Sequence, residues 1–106
     1  MAVAPLSRRS GPRQLVALPV TLTRAHGNPL SCRTIDVCAG GMRIATERPL
    51  RIDAVFAFDL QCGAGDDRVT GECRVLREDV PRQYAVRFEH LSATAIERLQ
   101  RLAAGG

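Results

Sequence analysis

The chain has 106 residues, 45% of them apolar, which suits one globular domain with a single modest core. No apolar run approaches the roughly 20 residues of a membrane-spanning helix, and the start does not read as a signal peptide, so we expect a cytoplasmic protein. The net charge of +4 comes from 15 basic side chains, all of them arginine, against 11 acidic ones.

Residues 1–14 contain Arg8, Arg9 and Arg13 together with two prolines, and they contain no acidic residue. This composition predicts a flexible N-terminal arm over residues 1–14. Without its three arginines the chain has 12 arginines against 11 acids, so the excess positive charge lies in the arm. Such a distribution favours capture of a small anion over the broad basic face that nucleic-acid binding needs.

Apolar and polar residues then alternate in short segments between residues 15 and 90, which is typical of β-strands. Six such strands predict an all-β antiparallel barrel or sandwich. One face of successive strands is marked by Leu18, Val20 and Leu22, by Ile35 and Val37, by Met42 and Ile44, by Phe56, Phe58 and Leu60, by Val69, Cys73 and Val75, and by Tyr84, Val86 and Phe88. The four aromatic residues are therefore expected in the core.

The period changes near the C-terminus. Ser92 is a suitable N-cap, and Ile96, Leu99 and Leu102 follow at three-residue spacing, which predicts an amphipathic helix within residues 91–104. A single short helix that covers one barrel mouth is the simplest use of that apolar stripe.

Two motifs occur in a fixed order along the chain. The arm carries RxxxR at residues 9–13, and Asp36, Cys38 and Gly41 follow with the spacing DxCxxG. Together these motifs resemble the two signatures of the PilZ family, RxxxR and (D/N)xSxxG. The LPVTL and RQYAVRFEHLS segments and the closing helix are also similar to PilZ sequence, so the resemblance covers roughly residues 7–103.

The resemblance implies one PilZ domain, a six-stranded antiparallel β-barrel over residues 15–90 with the flexible arm before it and one C-terminal α-helix over 91–104. It implies a receptor for the second messenger cyclic di-GMP that signals through an unidentified protein partner, with no catalytic residues, metal or cofactor, and no DNA, RNA or membrane partner. The ligand residues that it implies are Arg8, Arg9, Arg13, Asp36, Cys38, Gly40 and Gly41.

These residue types suit that ligand. A guanidinium fork matches guanine O6 and N7 as well as phosphate, and the Asp36 carboxylate can accept from the opposite guanine edge. Gly40 and Gly41 permit positive φ angles and a close approach to the backbone. Arg8 is expected to stack on a guanine and to admit a second, intercalated ligand molecule. Cys38 replaces the usual serine, and a thiol bonds more weakly, at a cost of about 0.5–1.5 kcal/mol.

Other functions fit the sequence less well. An enzyme is disfavoured because no nucleophile motif or close carboxylate pair occurs, and a nucleic-acid-binding barrel because no aromatic residue lies in the arm. The four cysteines form no CxxC pair, so we expect reduced thiols rather than zinc ligands. The remaining alternative is a PilZ-like module that binds only protein partners, which Cys38 favours.

Overall fold

The computed structural model describes residues 13–63 and 67–104, and within them the chain forms seven strands and one helix. The elements are β1 (Arg13–Leu15), β2 (Pro19–Thr23), β3 (Leu30–Cys38), β4 (Gly41–Ala45), β5 (Val55–Gln61), β6 (Arg68–Val80), β7 (Gln83–His90) and α1 (Ala93–Ala103).

Six of the strands close into an antiparallel barrel. Around the ring the order is β2, β5, β6, β7, β4 and β3, and the pairing of β3 with β2 completes it. The predicted six-stranded barrel with a C-terminal helix is therefore confirmed. Strand β1 is an addition, because it pairs with the half of β3 that β2 leaves uncovered. Of the expected arm over residues 1–14, only Arg13 and Gln14 are described, and both belong to β1.

The barrel interior is filled by the alternating apolar residues of the strands, as expected for half-buried strands. The four aromatic residues are all buried, and the Phe58 and Phe88 rings lie 5.0 Å apart in a tilted arrangement. The Tyr84 hydroxyl accepts a hydrogen bond of 2.9 Å from the Leu50 backbone N–H, which satisfies a buried donor.

Strand β3 changes face partway along its length. Cys32 and Thr34 are buried, and the register with β4 then shifts between Thr34 and Asp36, which marks a β-bulge. Beyond the bulge Val37 joins the core, so Asp36 and Cys38, on either side of it, belong to the outer face. The bulge thus turns the second motif away from the barrel interior.

Helix α1 begins as predicted, since the Ser92 hydroxyl accepts a 3.0 Å hydrogen bond from the Ala95 N–H. Its buried residues are Ala95, Leu99 and Ala103, and the helix packs on β3 and β6. The predicted stripe was therefore wrong at Ile96, which is 42% exposed. The buried residues follow each other at four-residue spacing, and the small side chains of Ala95 and Ala103 let the helix lie close to the strands. Within the described part of the chain, no helix has the length and apolarity to cross a membrane.

Candidate ligand-binding site

The pairing of β1 with β3 brings the two motifs together. Arg13 lies opposite Cys38 in the register, and Leu15 lies opposite Asp36. The end of the first motif is therefore a direct backbone neighbour of the second. Arg8 and Arg9, the other arginines of the predicted site, lie outside the described residues.

Asp36 is the charged residue at the centre of this region, and its side chain is fully buried. It lies opposite Arg43 on β4, whose Nε donates a hydrogen bond of 2.7 Å to Asp36 Oδ2. A terminal nitrogen of Arg43 lies 3.9 Å from Asp79 Oδ2 on β6. Arg43 thus links the second motif to the far end of β6.

Gly41, the last residue of the second motif, lies where two strands approach closely. It pairs with Arg87 on β7, and a Cβ at this position would overlap the backbone carbonyl oxygen of Val86. The neighbouring Gly40 carbonyl accepts a 3.0 Å hydrogen bond from the Phe88 N–H. Glycine is therefore required at position 41 by the packing of β4 against β7.

Two rows of side chains cross the outer face of the barrel, because directly opposite residues of antiparallel strands lie on the same face. From β3 through β4 and β7 to β6, the first row is Cys38, Gly41, Arg87 and Arg74. The second row, beside it, is Asp36, Arg43, Ala85 and Arg77. The first row thus has two short side chains followed by two arginines, and the second row has an arginine on each side of Ala85.

This pattern creates a depression of about 390 Å³, which we call the Gly41 concavity. Gly41 and Ala85 have little or no side chain and form the floor of the depression. Arg43, Arg77 and Arg87 form its rim. Its remaining lining residues are Cys38, Gly40, Met42, Leu76, Val86 and Phe88. A shallow depression with arginines at its rim suits an anion, particularly one with planar groups that a guanidinium can stack on or bond.

A second depression of about 390 Å³ lies on the same two strands, β3 and β4, near their other ends. Its lining residues are Ser31, Cys32, Arg33, Ala45, Thr46 and Glu47. One arginine is accompanied there by one glutamate, so this depression has no excess of positive charge. The Gly41 concavity is the better candidate for an anionic ligand.

Glu89 holds two arginines of the first row in place. Arg74 and Arg87 lie directly opposite each other on neighbouring strands. Two like charges in this arrangement repel each other and destabilise the pairing unless an acidic group lies between them. Glu89 Oε2 accepts hydrogen bonds from Arg74 Nε at 3.0 Å and from an Arg87 terminal nitrogen at 2.8 Å. The bonds from Arg74, and then those from Arg87, lower the pKa of Glu89 to about 2.

The variant Arg74→Gln is expected to raise the pKa of Glu89 from about 2 toward its ordinary value, because Arg74 is the largest cause of the lowering. A lowered carboxyl pKa stabilises the fold above the unfolded value of about 4.3, and that stabilisation disappears as the pH falls through the folded value. An NMR titration of the Glu89 carboxyl carbon measures the shift, with Arg33→Gln as the control. An unchanged pKa in Arg74→Gln would show that another group holds Glu89.

The cysteines form no metal site in the part of the chain that the structure describes. All four are free thiols, and residues 13–63 and 67–104 contain no group of three or more potential ligands for a metal ion. Burial raises the pKa of Cys73 to about 12 and also raises those of Cys32 and Cys62. Cys32 and Cys73 are buried and pack as small apolar side chains, whereas Cys62 is half-buried.

Sequence reasoning missed the arginines of the rim: Arg43, Arg77 and Arg87. Each occupies the outward phase of its strand, and that phase could be predicted for Arg87 from the alternation with Val86 and Phe88. Nothing local distinguishes such a residue from an ordinary solvated arginine. Only the cross-strand register brings these three side chains to one depression.

Solved structures share this fold. The PilZ domain of YcgR from Escherichia coli, solved with c-di-GMP, superposes with a TM-score of 0.74 at 21% identity, over 92% of this chain and 90% of that one. The Bacillus subtilis inhibitor of motility MotI/DgrA gives a TM-score of 0.79 at 15% identity, over 92% of this chain and 50% of that one. The present chain thus spans half the length of the MotI chain.

A search of curated proteins gave no match. The PilZ domain profile, in contrast, matches residues 7–105, which is nearly the whole sequence and includes both motifs. The barrel and its C-terminal helix agree with that match and with the fold of the solved PilZ domain of YcgR. The chain belongs to the PilZ domain family.

Proposed function

We propose that this chain is a cytoplasmic receptor for cyclic di-GMP, which it binds on the outer face of the barrel at the Gly41 concavity. The observation that carries the proposal is the β1–β3 pairing, which sets Arg13 opposite Cys38 and so joins the RxxxR segment to the DxCxxG segment. The ligand in the solved complexes of YcgR from Escherichia coli is c-di-GMP, and this supports the choice of nucleotide.

The chemistry of the concavity supports a ligand with two phosphates and two guanines. A guanidinium has five N–H donors, so an arginine that gives one to a carboxylate still has donors for a phosphate or a base edge. Arg43 and Arg77 each give their Nε to an aspartate, Asp36 and Asp79, at 2.7 Å. The carboxylates therefore orient the arginines before the ligand arrives, which reduces the entropy lost on binding.

In this proposal Arg8, Arg9 and Arg13 supply the second side of the site. The arm folds over the bound nucleotide, and Arg9 and Arg13 clamp it against β3 and β4. Arg8 stacks on a guanine, so two intercalated ligand molecules fit between arm and barrel. Ordering an arm on binding costs affinity but gives a large structural response, which a protein partner can recognise.

Asp36 and Cys38 take different parts in the proposal. Asp36 is buried beneath its ion pair with Arg43, so it orients that arginine and meets a guanine only if its surroundings open. Cys38 lines the concavity together with Gly40 and Gly41, where the ligand approaches the backbone. Its thiol replaces a hydroxyl, which weakens the complex by about 0.5–1.5 kcal/mol without abolishing it.

Calorimetric titration of cyclic di-GMP into the protein tests the proposal, with GTP as the ligand control. We expect micromolar or tighter binding that is lost in an Arg9→Ala/Arg13→Ala double variant. The matched control is Arg48→Ala/Arg51→Ala, which removes two exposed arginines that are not among the described lining residues of the concavity. Equal loss in both double variants would mean that net charge, rather than the clamp, governs binding.

The second candidate is a PilZ domain that acts only through protein contacts, and Cys38 is the residue that favours it. Absence of heat at high cyclic di-GMP concentration would reject the receptor proposal for the native chain. The variant Cys38→Ser then separates two explanations. Recovered binding would identify the thiol as the cause, and continued absence would leave the protein-interaction module.

A further inference from the structure

A large apolar residue faces solvent at the edge of the Gly41 concavity. In strand β6, Val75 pairs with Val86 and Arg77 pairs with Ala85, so Leu76 is an extra residue between two successive pairs. This is a β-bulge, a device that redirects a side chain and is frequent beside binding sites. Leu76 lines the concavity and remains 40% exposed.

Next to the apolar side chain of Leu76, this side of the concavity carries the positive charge of Arg77. Arg77 also lines the concavity, and its Nε donates a 2.7 Å hydrogen bond to Asp79 Oδ1. Asp79 lies between Arg77 and Arg43, since its other oxygen is 3.9 Å from a terminal nitrogen of Arg43. One carboxylate thus orients arginines on two sides of the depression.

An apolar surface next to an oriented guanidinium suits a planar base that carries two acceptors on one edge. The face of a purine is apolar enough to pack on a leucine side chain, and this contact removes both surfaces from water. Guanine presents O6 and N7 together, which a guanidinium fork bonds bidentately, whereas adenine has an amino donor at position 6. The combination therefore favours guanine.

We propose that Leu76 and Arg77 form a base-binding wall of the nucleotide site, Leu76 packing on the face of one guanine and Arg77 donating to its O6 and N7 atoms. This inference rests on the proposed binding of cyclic di-GMP and extends it to two residues outside both sequence motifs. The wall lies on β6, on the opposite side of the concavity from Cys38 on β3.

The test uses a single tryptophan as a local probe, because the chain contains none. In Leu76→Trp, cyclic di-GMP is expected to quench the indole emission as the guanine stacks on the ring, with a Kd equal to that from calorimetry on the same variant. The matched control is Val80→Trp, since Val80 is a 49% exposed residue of the same strand that is not among the described lining residues. Its emission should not change.

Specificity gives a second readout. Arg77→Gln is expected to reduce the preference for cyclic di-GMP over cyclic di-AMP at least about fivefold, because the bidentate contact to guanine is lost. Leu76→Ser is expected to raise the Kd for cyclic di-GMP about threefold to tenfold, because the apolar contact with the base is lost. This smaller substitution tests the same contact if the bulky tryptophan of Leu76→Trp disturbs folding.

The outcomes separate the two proposals. If the native chain gives no heat with cyclic di-GMP, the receptor proposal and the wall are both rejected. If the native chain binds but Leu76→Trp binds without quenching, and Leu76→Ser and Arg77→Gln match the native Kd and preference, the wall is rejected and the receptor stands. Quenching in Leu76→Trp but not in Val80→Trp supports the wall, provided that Arg77→Gln also has a reduced preference for cyclic di-GMP over cyclic di-AMP.

Discussion

Replacing Gly41 with alanine is expected to lower the free energy of unfolding by about 3 kcal/mol, the upper range for overpacking in a well-packed region. The added Cβ would overlap the Val86 carbonyl oxygen, which is backbone inside the β4–β7 pairing and cannot rotate away. For a domain of this size such a loss lowers the Tm by roughly 15 °C. Thermal unfolding followed by circular dichroism measures the change.

Gly27→Ala is the matched control, because a Cβ at position 27 meets no atom within 4 Å. Its Tm should stay within about 2 °C of the native value, as for most surface substitutions. If Gly41→Ala also melts at the native temperature, the strands can separate without cost and the packing argument is wrong. The comparison removes the general effect of replacing glycine by alanine, which includes a change in the unfolded chain.

A substitution at Gly41 also affects the ligand-binding concavity. Gly41 lies opposite Arg87, so moving β4 away from β7 also displaces an arginine of the concavity rim. Loss of ligand binding in a Gly41 variant is therefore expected from the packing alone. Variants of Leu76 and Arg77, which lie at a bulge and are exposed, report on ligand contact more directly.

The strands that alternate without interruption could be predicted from the sequence. In β5 the pattern of Phe56, Phe58 and Leu60 is enough, since one face is buried along the whole strand. In β3 the pattern is not enough, because the bulge after Thr34 moves Val37 to the interior and Asp36 to the outer face. A bulge depends on the partner strand, and a single sequence contains no record of it.

The candidate site divides in the same way. The second motif was visible because Asp36, Cys38 and Gly41 are close in sequence and on one segment. The rim arginines Arg43, Arg77 and Arg87 lie on three different strands and come together only through the register of β4, β6 and β7. Register is a property of the folded sheet, set by the whole hydrophobic pattern rather than by any local signal.

Arg43→Ala is expected to lower the free energy of unfolding by about 3 kcal/mol, because it removes a hydrogen-bonded positive charge from a carboxylate in a poorly solvated place. The carboxylate left behind is that of Asp36, whose side chain is fully buried, whereas Arg43 is 36% exposed. Asp36→Ala should therefore cost less than Arg43→Ala, since the guanidinium that remains can still be hydrated. Urea unfolding of both single variants and of the double variant measures the costs.

The control is Arg33→Ala, which removes an exposed arginine from the neighbouring strand and should change stability by no more than about 0.5 kcal/mol. The double variant is expected to lose less than the two single losses added together, because either change breaks the same contact. Additive losses would mean that Asp36 and Arg43 do not stabilise each other. Non-additive losses with the larger cost at Arg43 would make Asp36 the reason that an arginine is held at the rim of the concavity. The aspartate of the motif would then act on the ligand through the arginine that it orients.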